Sequence, residues 1–305
     1  MNDSQIASII LTWRKFEDTK ACIESLLLSS LKINNIIIVD NASNDDSWEK
    51  LKKTYKDNPN IYFISNSANL GFAKGINIGI KYALKIHVDY IVLLNQDTVV
   101  DSEFVSECIK FMKNRPQVGI VGPRIYYFEK PEKIWHSGGY FSKLRSNVVI
   151  PEKNKFDKIC DNNPKKVRFL SGCALFVRRE VFKIVGMFDE TYFFYDEDTD
   201  FSFRVEKANF ELWYLPKAKV WHKIGDISKE RTSSFVMYHR ARSHIILLKK
   251  NFSKLYFIYA LFLHFSIYFF FRVWQIIKGS KSLSVINAWF KGTLDGLRPP
   301  KNFTR

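Results

Sequence analysis

No CxxC pair occurs among the four cysteines (Cys22, Cys108, Cys160 and Cys173), so neither a zinc module nor a redox dithiol organises the chain. Four scattered thiols in 305 residues make no disulfide framework, which points to a reducing compartment. The opening MNDSQIASIILTW lacks a basic region followed by a long apolar stretch, so no signal peptide is expected. No internal repeat or low-complexity linker breaks the chain. Acids are the scarce charge: 31 Asp and Glu stand against 47 Lys and Arg, a formal net charge of +16. That field favours anionic partners such as nucleotide phosphates, an anionic membrane or nucleic acid. No nucleic-acid partner is expected, because no binding motif is present and the aromatics sit in apolar runs rather than between basic residues.

What is there reads as alternating strands and helices. Apolar runs at Ile6–Leu11, Ile36–Val39, Ile61–Ser65, Tyr90–Leu94 and Val118–Val121 are separated by stretches with helical spacing. This pattern predicts an α/β fold with a mostly parallel sheet. Three runs stop in polar residues: Thr12, then Asp40 to Asp45, then Asn95-Gln96-Asp97. In a parallel sheet all three lie on the carboxyl edge, where open α/β sheets bind ligands. Asp40 and Ser43 are candidates to bind a ribose or a base, whereas Asp45 serves equally well as a helix cap. Asp97 is either a ligand for a hard divalent cation or part of a polar Asx turn.

The stretch NLGFAKGINIG (69–79) carries three glycines at four-residue intervals, which suits close helix–sheet packing or backbone approach to a ligand. It is not a P-loop, because its Gly-Lys pair lies outside the GxxxxGK[ST] frame. Asn69 and Asn77 are polar where a purely structural helix needs no polarity, and Lys74 faces either a diphosphate or solvent. Further on, Trp135 to Gly139 reads as a turn and residues 143–167 as a charged loop or lid. FDETYFFYDEDTD (188–200) then sets acids against an aromatic cluster. Like charges and apolar walls raise carboxyl pKa values, which suits a general base or requires a nearby cation. The same acids also suit the N-terminus of the helix expected from Phe201. His222 closes the extended segment after Leu212, as either a structural group or a metal ligand.

Together these pieces resemble family 2 glycosyltransferases with the GT-A fold, especially the rhamnosyltransferase-like branch. The resemblance rests on IILTW, IVDNASND, NLGFAKGINIG, LLNQD, SGCALFVRREVFKIVGMFDETYFFYDEDTDFSFR and LPKAKVWH, and covers roughly residues 6–223. It implies a Rossmann-like, mostly parallel central sheet flanked by helices. It also implies a nucleotide-binding half (1–100) and an acceptor or catalytic half (101–225). Thr12, Asp40, Asn41, Ser43, Asn69, Lys74, Asn77, Asn95 and Asp97 would serve the nucleotide. Asn95-Gln96-Asp97 stands in place of the family's DxD, and Asp97 with His222 would hold Mg²⁺ or Mn²⁺. Asp198 would be the catalytic base with Glu197 and Asp200 beside it, while Gly172, Arg204 and Trp135 would lie on the acceptor side or behind it. The implied reaction is inverting transfer of a sugar from a dTDP- or UDP-sugar to a lipid-linked or polysaccharide acceptor. L-rhamnose from dTDP-L-rhamnose is the first expectation. A UDP-hexose-dependent transferase and a non-catalytic sugar-nucleotide-binding protein are the alternatives.

Residues 226–305 form a separate expectation. LYFIYALFLHFSIYFFFRVWQII (255–277) approaches the roughly 20 residues that span a bilayer. His264 and Arg272 interrupt it, and lysines flank both ends. In-plane or hairpin-like contact with an anionic membrane, at its cytoplasmic face, is therefore expected over a single span. A helix packed on the catalytic domain is the alternative.

Overall fold

The computed structural model describes residues 4–224, 233–270 and 283–298. Its first half alternates as the apolar runs require: β1 (Ile6–Thr12), α1 (Phe16–Leu27), β2 (Asn35–Asp40), α2 (Ser47–Tyr55), β3 (Ile61–Ser65), α3 (Gly71–Lys85) and β4 (Tyr90–Asn95). The second half holds β5 (Thr98–Val100), α4 (Phe104–Met112), β6 (Val118–Tyr127), β7 (Lys130–His136), β8 (Tyr140–Ser142), β9 (Asn147–Val149), β10 (Lys165–Val167) and β11 (Ala174–Arg178). It continues through α5 (Arg179–Val185), α6 (Glu197–Lys207) and β12 (Glu211–His222). Among the described residues there follow α7 (Ser234–Asn251), α8 (Lys254–Leu263) with a π-helical turn at His264–Tyr268, and α9 (Leu283–Leu297).

The main sheet runs in the order β10-β12-β6-β11-β4-β1-β2-β3, with β5 added to β12 and β7 to β6. β3, β2, β1 and β4 pair in parallel, and β12 is parallel to β6. β11 runs antiparallel between β4 and β6. This is the α/β sheet the run pattern predicted, with β11 as an inserted reverse strand. Thr12 sits opposite Asp40, and Leu11 opposite Asn95, so the polar ends of β1, β2 and β4 share one edge.

Two apolar layers cover the faces. One joins α1 and α4 to Ile6, Ile10, Ile36, Ile38 and Leu94; the other joins α3 and α6 to Ile9, Ile37, Val39 and Leu93. The alternation of Ile9/Ile10 and Ile37/Ile38 between layers is the two-residue period of a strand buried on both sides. The glycine spacing of α3 is a packing device. A Cβ at Gly75 would stand 2.8 Å from a Leu11 methyl, and one at Gly79 would collide with Ile9.

Two segments depart from the sequence expectation. Trp135 and His136 end strand β7 instead of forming a turn. Residues 143–167 hold β9, which pairs with β8 as a hairpin, and β10 rather than only a loop. Buried Arg124 draws this charged segment onto the sheet: its guanidinium donates to the Tyr214 hydroxyl (2.5 Å), the Asp161 carbonyl (2.6 Å), Asn162 Oδ1 (2.9 Å) and Asp157. No local periodicity announces a buried cation of this kind.

Candidate active site

The edge where β1, β2 and β4 end is held by side chains that bridge the strands. Gln96 Oε1 accepts from the Thr12 hydroxyl (2.9 Å) and the Trp13 amide (2.8 Å), so the β4 turn locks onto the β1 end. Asp40 accepts the Ser43 hydroxyl (2.6 Å) and amide (3.1 Å), and Ser43 Oγ accepts the Arg14 amide (2.6 Å). Thr12, Asp40 and Asn41 are buried and form the floor of the edge. Arg14, Lys15 and Ala42 adopt left-handed backbone, with φ of 60°, 57° and 60°. Each costs roughly 1–2 kcal/mol for a residue with a side chain, and strain of this kind gathers at functional sites.

The asparagines expected at the nucleotide have structural partners. Asn41 Oδ1 accepts the Asn66 side-chain amide (3.2 Å) and the Leu70 amide (3.0 Å), and its Nδ2 donates to Asn69 Oδ1 (3.0 Å). Asn69 Oδ1 also caps the Gly71 amide (3.0 Å). Asn77 lies inside the protein, accepting the Phe188 amide (3.1 Å) and donating to the Phe188 carbonyl (2.8 Å) and Glu190. The Phe72 amide donates to the Phe193 carbonyl (2.8 Å). Gly71, with φ +76°, has no room for a Cβ against that same carbonyl. The NLGFAKGINIG motif therefore grips the acidic loop at residues 188–193. Lys74 is half-buried on the same helix.

Asp97 and His222 meet across the β5–β12 pairing, with His222 Nε2 3.0 Å from Asp97 Oδ1. Burial pushes the Asp97 carboxyl up, but the His222 hydrogen bond and charge more than offset it, leaving Asp97 below the ordinary carboxylate range. Burial works against a charged His222, while Cys173 and Asp97 outweigh it and hold the ring well above its ordinary value. Trp135 packs edge-on against His222 at 4.8 Å between centroids. Asn95 is partly exposed beside this pair.

Asp198 stands in the first turn of α6, and its Oδ2 accepts the Gly172 amide at 2.9 Å. Burial pushes its pKa up to about 6, against the Gly172 hydrogen bond, which lowers it, and with neighbouring Asp196, which raises it further. Glu197 is buried beside it and pushed well above the carboxylate range, first by burial and then by Asp198. Tyr195 and Asp196, immediately before, take left-handed φ of 70° and 62°. Asp200 points away from the edge: it accepts Arg204 Nε (2.8 Å) and Asn251 Nδ2 (3.0 Å). Arg204 also donates to the Val185 and Met187 carbonyls (3.1 and 2.9 Å). Asp200 and Arg204 thus form a clasp behind Asp198.

One turn joins the two carboxylate stations. Gly172 donates to Asp198, and the next residue's carbonyl, that of Cys173, accepts the Asn95 amide at 3.0 Å. A Cβ on Gly172 would sit 3.4 Å from that of Asp198. Residues 8–186 match the model of the family described as glycosyl transferase family 2. The chain belongs to that family.

This glycosyltransferase is 28% identical over 261 residues to the dTDP-rhamnosyl transferase RfbF of Shigella flexneri, across 82% of this chain and 81% of that protein. It is 24% identical over 246 residues to the N-acetylglucosaminyl-diphospho-decaprenol L-rhamnosyltransferase of Mycobacterium tuberculosis, across 74% and 78%. Among solved structures it resembles GalNAc-T7 with UDP, GalNAc and Mn²⁺ (TM-score 0.63, 14% identity), across 79% of this chain and 47% of that one. The mannosyltransferase PcManGT of Pyrobaculum calidifontis with GDP-Man and Mn²⁺ has a TM-score of 0.58 at 11% identity, across 95% and 73%. These neighbours give the fold as GT-A.

Sequence reasoning missed three contributors. His136 is buried and accepts the Ser171 amide (3.2 Å), steadying the turn that reaches Asp198; burial keeps it neutral, with its pKa pushed down to about 3. Gln96 was hidden inside the metal-like triplet. Asn251 lies 51 residues from Asp200, and nothing in the local pattern marks it.

Proposed function

We propose that this family 2 transferase catalyses inverting glycosyl transfer, with L-rhamnose from dTDP-L-rhamnose as the first candidate donor and a UDP-hexose as the second. The observation that carries the reading is Asp198: a buried carboxyl with its pKa near 6, one turn of chain from the Asp97–His222 pair. A base must lose its proton at working pH and still be basic enough to accept one, and a carboxyl tuned upward does both. Asp198 takes the proton of an acceptor hydroxyl, whose oxygen forms the new bond to the anomeric carbon from the face opposite the departing diphosphate. The Asp40–Ser43 floor and the Thr12 edge set the nucleoside, and the Asp200–Arg204 clasp holds the helix that presents Asp198.

Asp97 and His222 suit a divalent cation of the hard or borderline class. Among the described residues no cluster of three or more His, Cys, Asp or Glu stands there. An Mg²⁺ or Mn²⁺ carried by a diphosphate commonly uses only one or two protein ligands, so this oxygen and this nitrogen, 3.0 Å apart, fit such a cation. Bound there, it would neutralise charge on the leaving diphosphate. Its arrival would displace the proton shared by the pair.

The acceptor in this reading is a lipid-linked or polysaccharide hydroxyl at the cytoplasmic face of the membrane. Residues 226–305 would meet an anionic lipid surface. Among the described residues no helix is long and apolar enough to cross a membrane, and residues 271–277 of the apolar stretch lie outside them. A screen of dTDP-, UDP- and GDP-sugars for hydrolysis and binding, with Mg²⁺ and with Mn²⁺, tests the donor assignment. Turnover confined to a donor of neither dTDP nor UDP type would overturn it.

A further inference from the structure

Helix α8 is inverted relative to a helix in water. Its solvent-facing stripe, spaced i, i+3, i+7, is Leu255, Ile258 and Phe262, at 80%, 63% and 67% exposure. The tip of the β8–β9 hairpin comes up beside it. The Tyr256 and Tyr259 hydroxyls donate to the Lys143 and Leu144 carbonyls at 2.8 and 2.9 Å, and Leu144 is 79% exposed. An apolar side chain of the catalytic domain and the apolar stripe of the C-terminal region thus share one surface, edged by exposed Lys143 and Lys254.

Charge says what covers it. Residues 226–305 carry fourteen Lys and Arg against three acids, while residues 1–225 carry 33 against 28. Eleven of the sixteen net positive charges therefore lie in the last quarter of the chain. An apolar stripe with tyrosines at its border, in a segment of high positive charge, has the chemistry of a surface that meets anionic lipid. A second protein chain of the same charge would be repelled from it.

We infer that the β8–β9 hairpin tip, through Leu144 and Lys143, inserts with α8 into an anionic bilayer surface, so that the catalytic domain itself is anchored in a fixed orientation. The inference rests on the membrane contact proposed for residues 226–305 and extends it to the catalytic half. The hairpin's root supports this. Phe141 packs on Phe252 (4.9 Å between centroids), which leads into α8, and on Phe203 (5.8 Å) of α6, the helix that carries Asp198. A bilayer touching Leu144 would thereby have a set relation to the base, as an acceptor hydroxyl held near a membrane requires.

The test is flotation of the full chain with vesicles of equal parts phosphatidylglycerol and phosphatidylcholine, against phosphatidylcholine alone. Three variants are compared: Leu144→Asp, the double variant Ile258→Asp/Phe262→Asp, and Leu28→Asp at a 75%-exposed position on α1's boundary as a control. Donor hydrolysis is measured in solution for each, which reports folding and the transferase reading separately. The expected result is binding to the anionic vesicles only, weakened at least tenfold by Leu144→Asp and by the double variant. Hydrolysis and the Leu28→Asp control should be unchanged. Wild-type-like binding by Leu144→Asp, with loss in the double variant, overturns the hairpin's role while the membrane contact stands. Failure of the wild type to float overturns both. A wild-type dimer that Leu144→Asp converts to monomer would assign the surface to a second copy and overturn the inference as well.

Discussion

Asp97 and Asp198 are the same residue type, linked through the 171–173 turn, and the fold drives them in opposite directions. Asp97 faces an imidazole across a strand pair, and its carboxyl is held below the ordinary range. Burial and the neighbouring Asp196 raise Asp198 to about 6 against the Gly172 hydrogen bond. In the proposed reaction one carboxylate keeps its negative charge beside a cation, while the other accepts a proton near neutral pH. The contrast follows from the different elements that carry the two acids. Asp97 follows β4 and meets His222 from β12, whereas Asp198 lies in a helix whose first turn is closed off by the 188–196 loop.

The largest expected effect comes from the proposed base. Asp198→Asn keeps the size and the acceptor for the Gly172 amide but cannot take a proton. Transfer should fall by roughly a hundredfold to ten-thousandfold, with donor affinity nearly unchanged by calorimetry. Wild-type turnover in this variant would remove Asp198 from the reaction. The cation station should respond differently. Asp97→Ala or His222→Ala should lower transfer by about a hundredfold, the scale of losing part of a charge clamp on a leaving group. The same variants, or EDTA treatment, should also weaken donor binding. Full activity after EDTA would show that the pair works without a cation.

The two stations should also separate by pH. The base must be ionised, so kcat should fall as pH drops through about 6, the value to which burial raises Asp198. Asp97 stays charged across that window, so donor affinity measured without a divalent cation should hold while kcat declines. With Mg²⁺ present, donor affinity should also weaken as pH falls, because the cation must displace the His222 proton. A loss of affinity without the cation would mean that the acid limb belongs to another group.

How much of this was legible in the sequence depends on distance along the chain. The parallel half was readable because each strand is a single apolar run with its own polar stop, and the register of Thr12 with Asp40 follows from β1 and β2 being neighbours. Helix α6 begins at Glu197, earlier than its apolar residues suggest, because its first turn is acidic. The motif at 69–79 could be recognised but not interpreted from periodicity. Asn77 looks like a ligand group, yet its amide meets a backbone 111 residues away. Arg124, His136 and Asn251 were invisible for the same reason: a buried polar residue is explained by partners that only tertiary structure supplies.

Gly71→Ala tests that grip from the donor side. Its positive φ and the Phe193 carbonyl leave no place for a methyl, so the loop must move or the helix must shift. A loss of about 1–3 kcal/mol is expected for forcing a side chain into such backbone, read as a lowered Tm. Catalysis should decline more than donor binding, since the loop leads to Asp198.

Asn251→Ala tests the grip from the other side and should give the smallest effect. Its side-chain amide donates to Asp200, which keeps Arg204 at 2.8 Å when that donor is removed. One hydrogen bond of this kind contributes about 0.5–1.5 kcal/mol, so a several-fold fall in kcat with an unchanged donor KM is expected. The C-terminal region touches the loop elsewhere too, through Arg242 to the Thr191 carbonyl (3.0 Å) and Ser243 to the Phe194 carbonyl (2.9 Å). Helix α7 therefore belongs with the catalytic half in energetic terms, although it lies beyond residue 225. If Asn251→Ala left kcat untouched and the Asn251→Ala/Ser243→Ala double variant did as well, the loop would be set by α3 and α6 alone. The electrostatic contrast between Asp97 and Asp198 would then arise wholly within residues 1–225.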